Sequence, residues 1–345
     1  MVALKCSNRK LVKGKNAKKL IEAERKILSI LGDHPSKFCV YLIYAFRDKD
    51  CFYFALPLLT GGDLSFHLNR SETHSFTVER SCFYAAEIMM GLAHMHSLGI
   101  LYRDLKPENI LLNDEGHAAI SDMGLAVVTN GRRWKGRAGT PGYWAPEMLK
   151  KEKYSYAVDW WSFGCVLFEF LTGKCPFSTK NTKLKDRDQG TLCFDLSKHF
   201  PKTIKNIHGT MVFPEGAKDL VLKLLRRNAE KRYGAKGVSE IKHHKFFKDI
   251  NFRKLSKHQV EPPWKPKKLA INAENQVDLD DKNAEVRVLV GTQYMCIAPA
   301  RLTPPPSSFF ICSTNIAKKR LCRKTTLLSL IIYALRSTNE ILSRL

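Results

Sequence analysis

Three short blocks carry the residues of this 345-residue chain that could do chemistry. The first, Tyr102-Arg103-Asp104-Leu105-Lys106-Pro107-Glu108-Asn109, gathers two acids, two cations and an amide. Thirteen residues beyond Asn109 comes Asp122, in Ser121-Asp122-Met123-Gly124, and Ala145-Pro146-Glu147 closes the series. Carboxylate and carboxamide oxygens are the ligands a hard divalent cation takes, and a positioned carboxylate can accept a hydroxyl proton. Taken singly, Asp104 reads more simply as a turn residue bonding its own backbone. The surrounding octapeptide, residues 102–109, tips the balance toward chemistry.

The elements that must position these blocks are legible from periodicity. Met1-Val2-Ala3-Leu4-Lys5-Cys6 reads as a short strand, and residues 16–31 place apolar side chains at helical spacing. Residues 38–59 hold two runs rich in Val, Tyr, Phe and Leu around the polar turn Arg47-Asp48-Lys49-Asp50, an expected antiparallel pair broken by Gly61-Gly62-Asp63. Beyond it the helical period dominates, with an amphipathic helix over 77–98 capped by Thr77 and a nearly all-apolar, buried helix over 158–171. Four segments result: a small lobe over 1–59, a large, mainly α lobe over 60–248, a Pro- and Lys-rich strap over 249–284, and an unassigned basic tail over 285–345, expected as disorder, a short terminal helix or a misread extension.

Composition bounds the class. With 44% hydrophobic residues the chain can bury a sizeable core. Lys and Arg number 57 against 33 Asp and Glu, a net charge of +24 that draws the molecule toward phosphates, anionic lipid or acidic protein faces. The ten cysteines lack the paired spacing of a zinc site or the density of a disulfide scaffold, which fits reduced intracellular thiols. The apolar run 327–335 is less than half of the roughly 20 residues a spanning helix needs. The positive charges are dispersed and accompany no nucleic-acid recognition motif.

The three blocks, in order and spacing, resemble the catalytic loop, metal-binding loop and activation-segment end of protein kinases. The resemblance implies an α+β, two-lobed protein-kinase-like fold with an incomplete small β lobe, and phosphoryl transfer from Mg-ATP to a protein hydroxyl. That reaction asks for positioning and charge neutralisation more than covalent help. By their matches, Asp122 and Asn109 would hold Mg²⁺, Asp104 would accept the substrate proton, and Lys106 would steady the γ-phosphate. Lys5 looks like the strand lysine gripping the α- and β-phosphates and Glu24 like its partner, although each alone would more often be a solvated charge. Leu56 falls at the back of the adenine pocket, with backbone groups of Pro57 and Leu59 on the adenine edge; Pro57 keeps the carbonyl its position must supply. Asp63 is placed for the ribose hydroxyls or, equally, as a helix cap. Arg103, Glu147, Asp159 and Arg232 are expected as architecture: Asp159 braces the catalytic-loop backbone, and Glu147 pairs with Arg232.

Over residues 1–278 the chain is most similar to the AGC group of serine/threonine kinases, and within it to the G-protein-coupled receptor kinases. Tyr102 stands where many kinases have His. Gly61-Gly62-Asp63-Leu64, Ile120-Ser121-Asp122-Met123-Gly124-Leu125-Ala126 and the insert Cys175-Pro176-Phe177-Ser178-Thr179-Lys180-Asn181-Thr182-Lys183 follow the receptor-kinase wording, with Met123 in place of a common Leu. Gly136 occupies the place of the phosphorylatable Thr of most AGC kinases, so no phosphate can form there to pair with Arg103. Control by docking to an activated receptor is therefore expected. The Gly-rich loop and its strands do not precede Lys5; the expectation is an incomplete chain whose upstream frame encodes them. A different AGC kinase with cytosolic substrates and a catalytically impaired scaffold remain as alternatives. The expected setting is a cytoplasmic monomer, peripheral at the inner face of the plasma membrane where the basic tail meets anionic lipid.

Overall fold

A computed structural model describes residues 2–9, 15–177, 184–206, 209–266 and 294–297. The small lobe opens with β1 (Val2–Asn8), crosses through α1 (Lys15–Asp33), and returns in β2 (Tyr44–Arg47) and β3 (Cys51–Pro57). Both the helix and the hairpin expected from the sequence are present. Residues 38–43 are the exception: they make no strand, only an isolated bridge from Cys39 to Ile120 of the large lobe. Their apolar side chains belong to the large core instead, where Phe38, Cys39 and Val40 are buried.

β1 pairs antiparallel with β3, bringing Ala3 opposite Leu56, Leu4 opposite Ala55 and Lys5 opposite Phe54. Alternate side chains leave opposite faces of a strand. Leu4 therefore joins Cys51, Tyr53 and Ala55 in a small cluster on one face, while Phe54 and Leu56 join the main core on the other, with Lys5 on their side. The sheet order is completed by Tyr294–Ile297 on the outer edge of β1, with Val2 opposite Ile297 and Lys5 opposite Tyr294. The sequence reading placed no strand in that tail; the rest of it, including the run 327–335 and the basic cluster Lys318-Lys319-Arg320, lies outside the described residues.

The large lobe is mainly helical. Asp63 starts α2 (Leu64–Arg70), and Thr77 caps α3 (Val78–Ser97), its hydroxyl accepting the Arg80 amide at 3.2 Å. Short strands β4 (Ile100–Leu101), β5 (Ile110–Leu112), β6 (Ala118–Ile120) and β7 (Val127–Val128) pair as β4 with β7 and β5 with β6. α4 (Ala157–Thr172) runs through the centre of the lobe, with Trp160, Trp161, Phe163 and Phe170 buried. After Phe247 the chain makes one helical turn, Phe252–Leu255, and crosses the lobe to Trp264, whose ring lies 4.5 Å from that of His67 and 4.5 Å from the Arg80 guanidinium. Among the described residues no helix is long and apolar enough to cross a membrane.

Candidate active site

Strand register assembles the centre of the site. β5 and β6 end on the pair Ile110 and Ile120, so Asn109 and Ser121 emerge side by side. Ser121 donates to the Asn109 carbonyl through its amide at 2.8 Å and its hydroxyl at 3.0 Å. Asp122, one residue on, therefore leaves the same end of the hairpin as Asn109. Its φ of 51° lies in the left-handed region, as does the 71° of Arg103. Such backbone costs about 1–2 kcal/mol per residue and persists where surrounding contacts dictate it.

Those contacts come from Asp159, fully buried near the start of α4. Its carboxylate accepts the Tyr102 and Arg103 amides at 3.0 and 2.8 Å and meets His96 Nε2 at 2.7 Å. The Tyr102 hydroxyl donates to the Ser121 carbonyl at 2.6 Å, tying the catalytic loop to the hairpin. A carboxylate buried this deeply needs such a set of donors, since an unpaired one would be strongly disfavoured.

Two polar groups converge on this frame. In the first, Asn109 Nδ2 donates to the Asp104 carbonyl and to its Oδ2, at 2.9 and 3.0 Å; Thr140 donates to Asp104 Oδ1 at 2.7 Å and accepts from Lys106 Nζ at 2.9 Å. Lys106 Nζ is 3.7 Å from Asp104 Oδ2. Gly139 makes the approach possible: at φ 99°, a Cβ there would sit 2.2 Å from the Arg103 carbonyl oxygen. In the second group Lys5 Nζ donates to Glu24 Oε1 at 2.6 Å and Asp122 Oδ1 at 3.1 Å, joining β1, α1 and the loop after β6. Burial raises the Glu24 pKa and the neighbouring ammonium opposes the rise. The Asp122 side chain keeps 25% of its surface exposed against 9% and 8% for Lys5 and Glu24, so this network ends at an accessible carboxylate.

The donors present fit a hard divalent cation. Asn109 spends its amide nitrogen on Asp104, which leaves its carboxamide oxygen as the atom that could ligate an ion. Asp122 contributes a second oxygen from the same end of the hairpin. Leu56 is buried on β3 opposite Ala3, and Pro57 and Leu59 follow, half-buried, at the strand's end. Asp63 acts as the cap of α2, with Oδ1 accepting the Phe66 amide at 2.8 Å.

Glu147 and Arg232 form the expected pair, bidentate at 2.7 and 3.0 Å. Arg103 is engaged by protein groups. Its Nε donates to the Leu125 carbonyl at 2.9 Å, Nη1 lies 3.4 Å from the Tyr154 hydroxyl, and the guanidinium sits 5.2 Å from the Trp134 ring centre. Gly136 follows with φ 97°. Sequence reasoning missed Thr140, and missed His96, which only the packing of α3 on α4 reveals. A cavity of about 940 Å³ lined by Tyr154, Trp160, Arg227 and Lys236 lies elsewhere in the large lobe and borders none of Lys5, Asp104, Asn109 or Asp122.

Residues 1–247 match the family of the protein kinase domain. The chain is 40% identical over 298 residues to G protein-coupled receptor kinase 1 of Caenorhabditis elegans, covering 81% of this chain and 44% of that protein. It is 37% identical over 289 residues to G protein-coupled receptor kinase 2 of Drosophila melanogaster, covering 81% and 39%, and 39% identical over 287 residues to a rhodopsin kinase of Bos taurus, covering 81% and 50%. The chain thus spans half or less of the length of these relatives.

Proposed function

The chain belongs to the protein kinase family, and from that premise we propose that it transfers the γ-phosphoryl group of ATP to serine and threonine hydroxyls of protein substrates, with Mg²⁺ as its divalent ion. The observation carrying this reading is the convergence of Asp104, Asn109 and Lys106 at the hairpin end that also delivers Asp122. Asp104 accepts the proton of the incoming hydroxyl as its oxygen bonds to phosphorus and the bridging bond to the leaving diphosphate breaks. Lys106, held through Thr140, is positioned against the transferring group, and Lys5 against the other phosphates. Glu24 and Asp122 fix the direction of the Lys5 side chain. Asn109 and Asp122 would hold the divalent ion, which would supply positive charge to offset that of the nucleotide. In this reading Leu56, Pro57 and Leu59 would meet the adenine, while Asp63 caps α2.

The identity to receptor kinases, with Gly136 in the activation segment and Arg103 already engaged by protein groups, supports a receptor-kinase type of enzyme. In that reading an activated G-protein-coupled receptor is the substrate and docking to it, rather than a phosphate within residues 127–140, is the switch. In the same reading the chain is a cytoplasmic monomer, and its net charge of +24 supports peripheral association with the anionic inner face of the plasma membrane. Incubation with radiolabelled Mg-ATP and an agonist-occupied receptor, followed by phosphoamino-acid analysis, is expected to yield phosphoserine and phosphothreonine. Phosphotyrosine, or transfer that depends on prior phosphate between 127 and 140, would contradict the reading.

A further inference from the structure

On the opposite side of the β5–β6 hairpin from the catalytic loop lies a cluster the reaction does not use. Glu87 on α3, wholly buried, places Oε1 at 2.6 Å from Nδ1 of His117, itself buried just before β6; Glu87 Oε2 accepts the Ala118 amide at 2.6 Å. The imidazole of His258, from the turn after Phe252–Leu255, stacks on that of His117 with centroids 3.8 Å apart and planes 9° from parallel. One donor atom from each of the three residues lies within 4.8 Å of the other two. His258 Nε2 is buried and has no hydrogen-bond partner among the described residues. An orphaned buried nitrogen of this kind costs on the order of 1–3 kcal/mol.

We propose that Glu87, His117 and His258 form a structural binding site for Zn²⁺ or a similar borderline transition-metal ion, clipping the chain beyond Phe252–Leu255 to α3 and the β5–β6 hairpin. Imidazole and carboxylate together suit zinc, with bonds of about 2.0–2.2 Å and a fourth position for water. Metal entry is a substitution. The hydrogen bond between Glu87 Oε1 and His117 Nδ1 gives way to a bond from each atom to the ion, and any proton on Nδ1 passes to Nε2 of the same ring or to solvent. Because each imidazole binds an ion in its own plane, the stack opens on metal entry and the His258 ring turns toward a common centre. Trp264, held against His67 and Arg80, already anchors the strap farther along, so the ion adds a second fixed point.

The test uses the full chain, stripped with chelator and titrated with Zn²⁺ by calorimetry in two buffers of different ionisation enthalpy, and in parallel with Co²⁺ by absorption. One equivalent is expected to bind, with no thiolate-to-cobalt charge-transfer band. His258→Asn should weaken it at least tenfold. Asn is chosen because His258 has φ 56°, a conformation Asn tolerates, and near-ultraviolet dichroism checks that this variant keeps its fold. The proposal is overturned if Zn²⁺ fails to bind at tens of micromolar, if His258→Asn binds as tightly as the parent, or if the bound Co²⁺ shows thiolate ligation.

Discussion

Two buried pairs of a cation with a glutamate, Arg232–Glu147 and Lys5–Glu24, sit in different lobes and end differently. Arg232 is 1% exposed and directs all five of its N–H groups at protein oxygens: both oxygens of Glu147 and the carbonyls of Ala157, Arg226 and Arg227. Lys5 divides itself between a buried carboxylate on α1 and the partly exposed Asp122. Both pairs bring distant parts of the chain together. The large-lobe pair closes on itself, whereas the small-lobe pair opens onto a carboxylate that solvent and a ligand can reach. Burial of charge therefore does not by itself mark a functional site; the end point of the network does.

Separating the two pairs by mutation gives the largest expected effect. Arg232→Ala strands Glu147 in the core and should cost about 3–5 kcal/mol of stability, measured by denaturant unfolding. A loss below about 1 kcal/mol would break the contrast. Asp104→Asn comes next: phosphoryl transfer should fall roughly a hundredfold or more while the thermal midpoint stays within a degree or two of the parent. Lys5→Met sharpens the comparison from the other side. Because burial already raises the Glu24 pKa, that carboxyl can take up a proton when its partner is removed. The fold should lose only about 1 kcal/mol, and transfer should fall about tenfold or more. Global unfolding of Lys5→Met would place it beside Arg232 as architecture.

The smallest effect concerns pH. Burial raises Glu169, whose Oε2 accepts the Tyr143 hydroxyl at 2.6 Å, from 4.5 to about 7. A carboxyl raised in the folded state contributes stability that is fully present below about 4.5 and is lost as pH rises through about 7. Glu169→Gln should flatten that part of the stability–pH curve by about 1–3 kcal/mol, and an unchanged curve would remove Glu169 as its source.

The sequence made the catalytic blocks legible because their chemistry is local: Asp104, Lys106 and Asn109 fall within six residues. Capping at Thr77 and the hairpin around residues 47–50 were legible for the same reason, since each is decided by neighbours in the chain. The approach of Lys5 to Glu24 and of Glu147 to Arg232 came through resemblance, because nothing local signals contacts 19 and 85 residues apart. Residues 38–43 misled because an apolar run looks alike whether it pairs in a sheet or packs as a loop into a core. His96, Thr140 and the stacking of His258 on His117 had no local signature, for each partner is delivered by another element.

The central claim, that Asn109 and Asp122 hold a divalent ion against a nucleotide in the cleft that contains Asp104, is tested most directly by nucleotide affinity with and without Mg²⁺. In the parent chain Mg²⁺ should tighten binding of a non-hydrolysable ATP analogue about tenfold or more, a linkage of about 1.4 kcal/mol, and Asp122→Asn should abolish the difference. Equal affinity in the presence and absence of Mg²⁺ in the parent chain, or a Mg²⁺ effect that survives in Asp122→Asn, would contradict it.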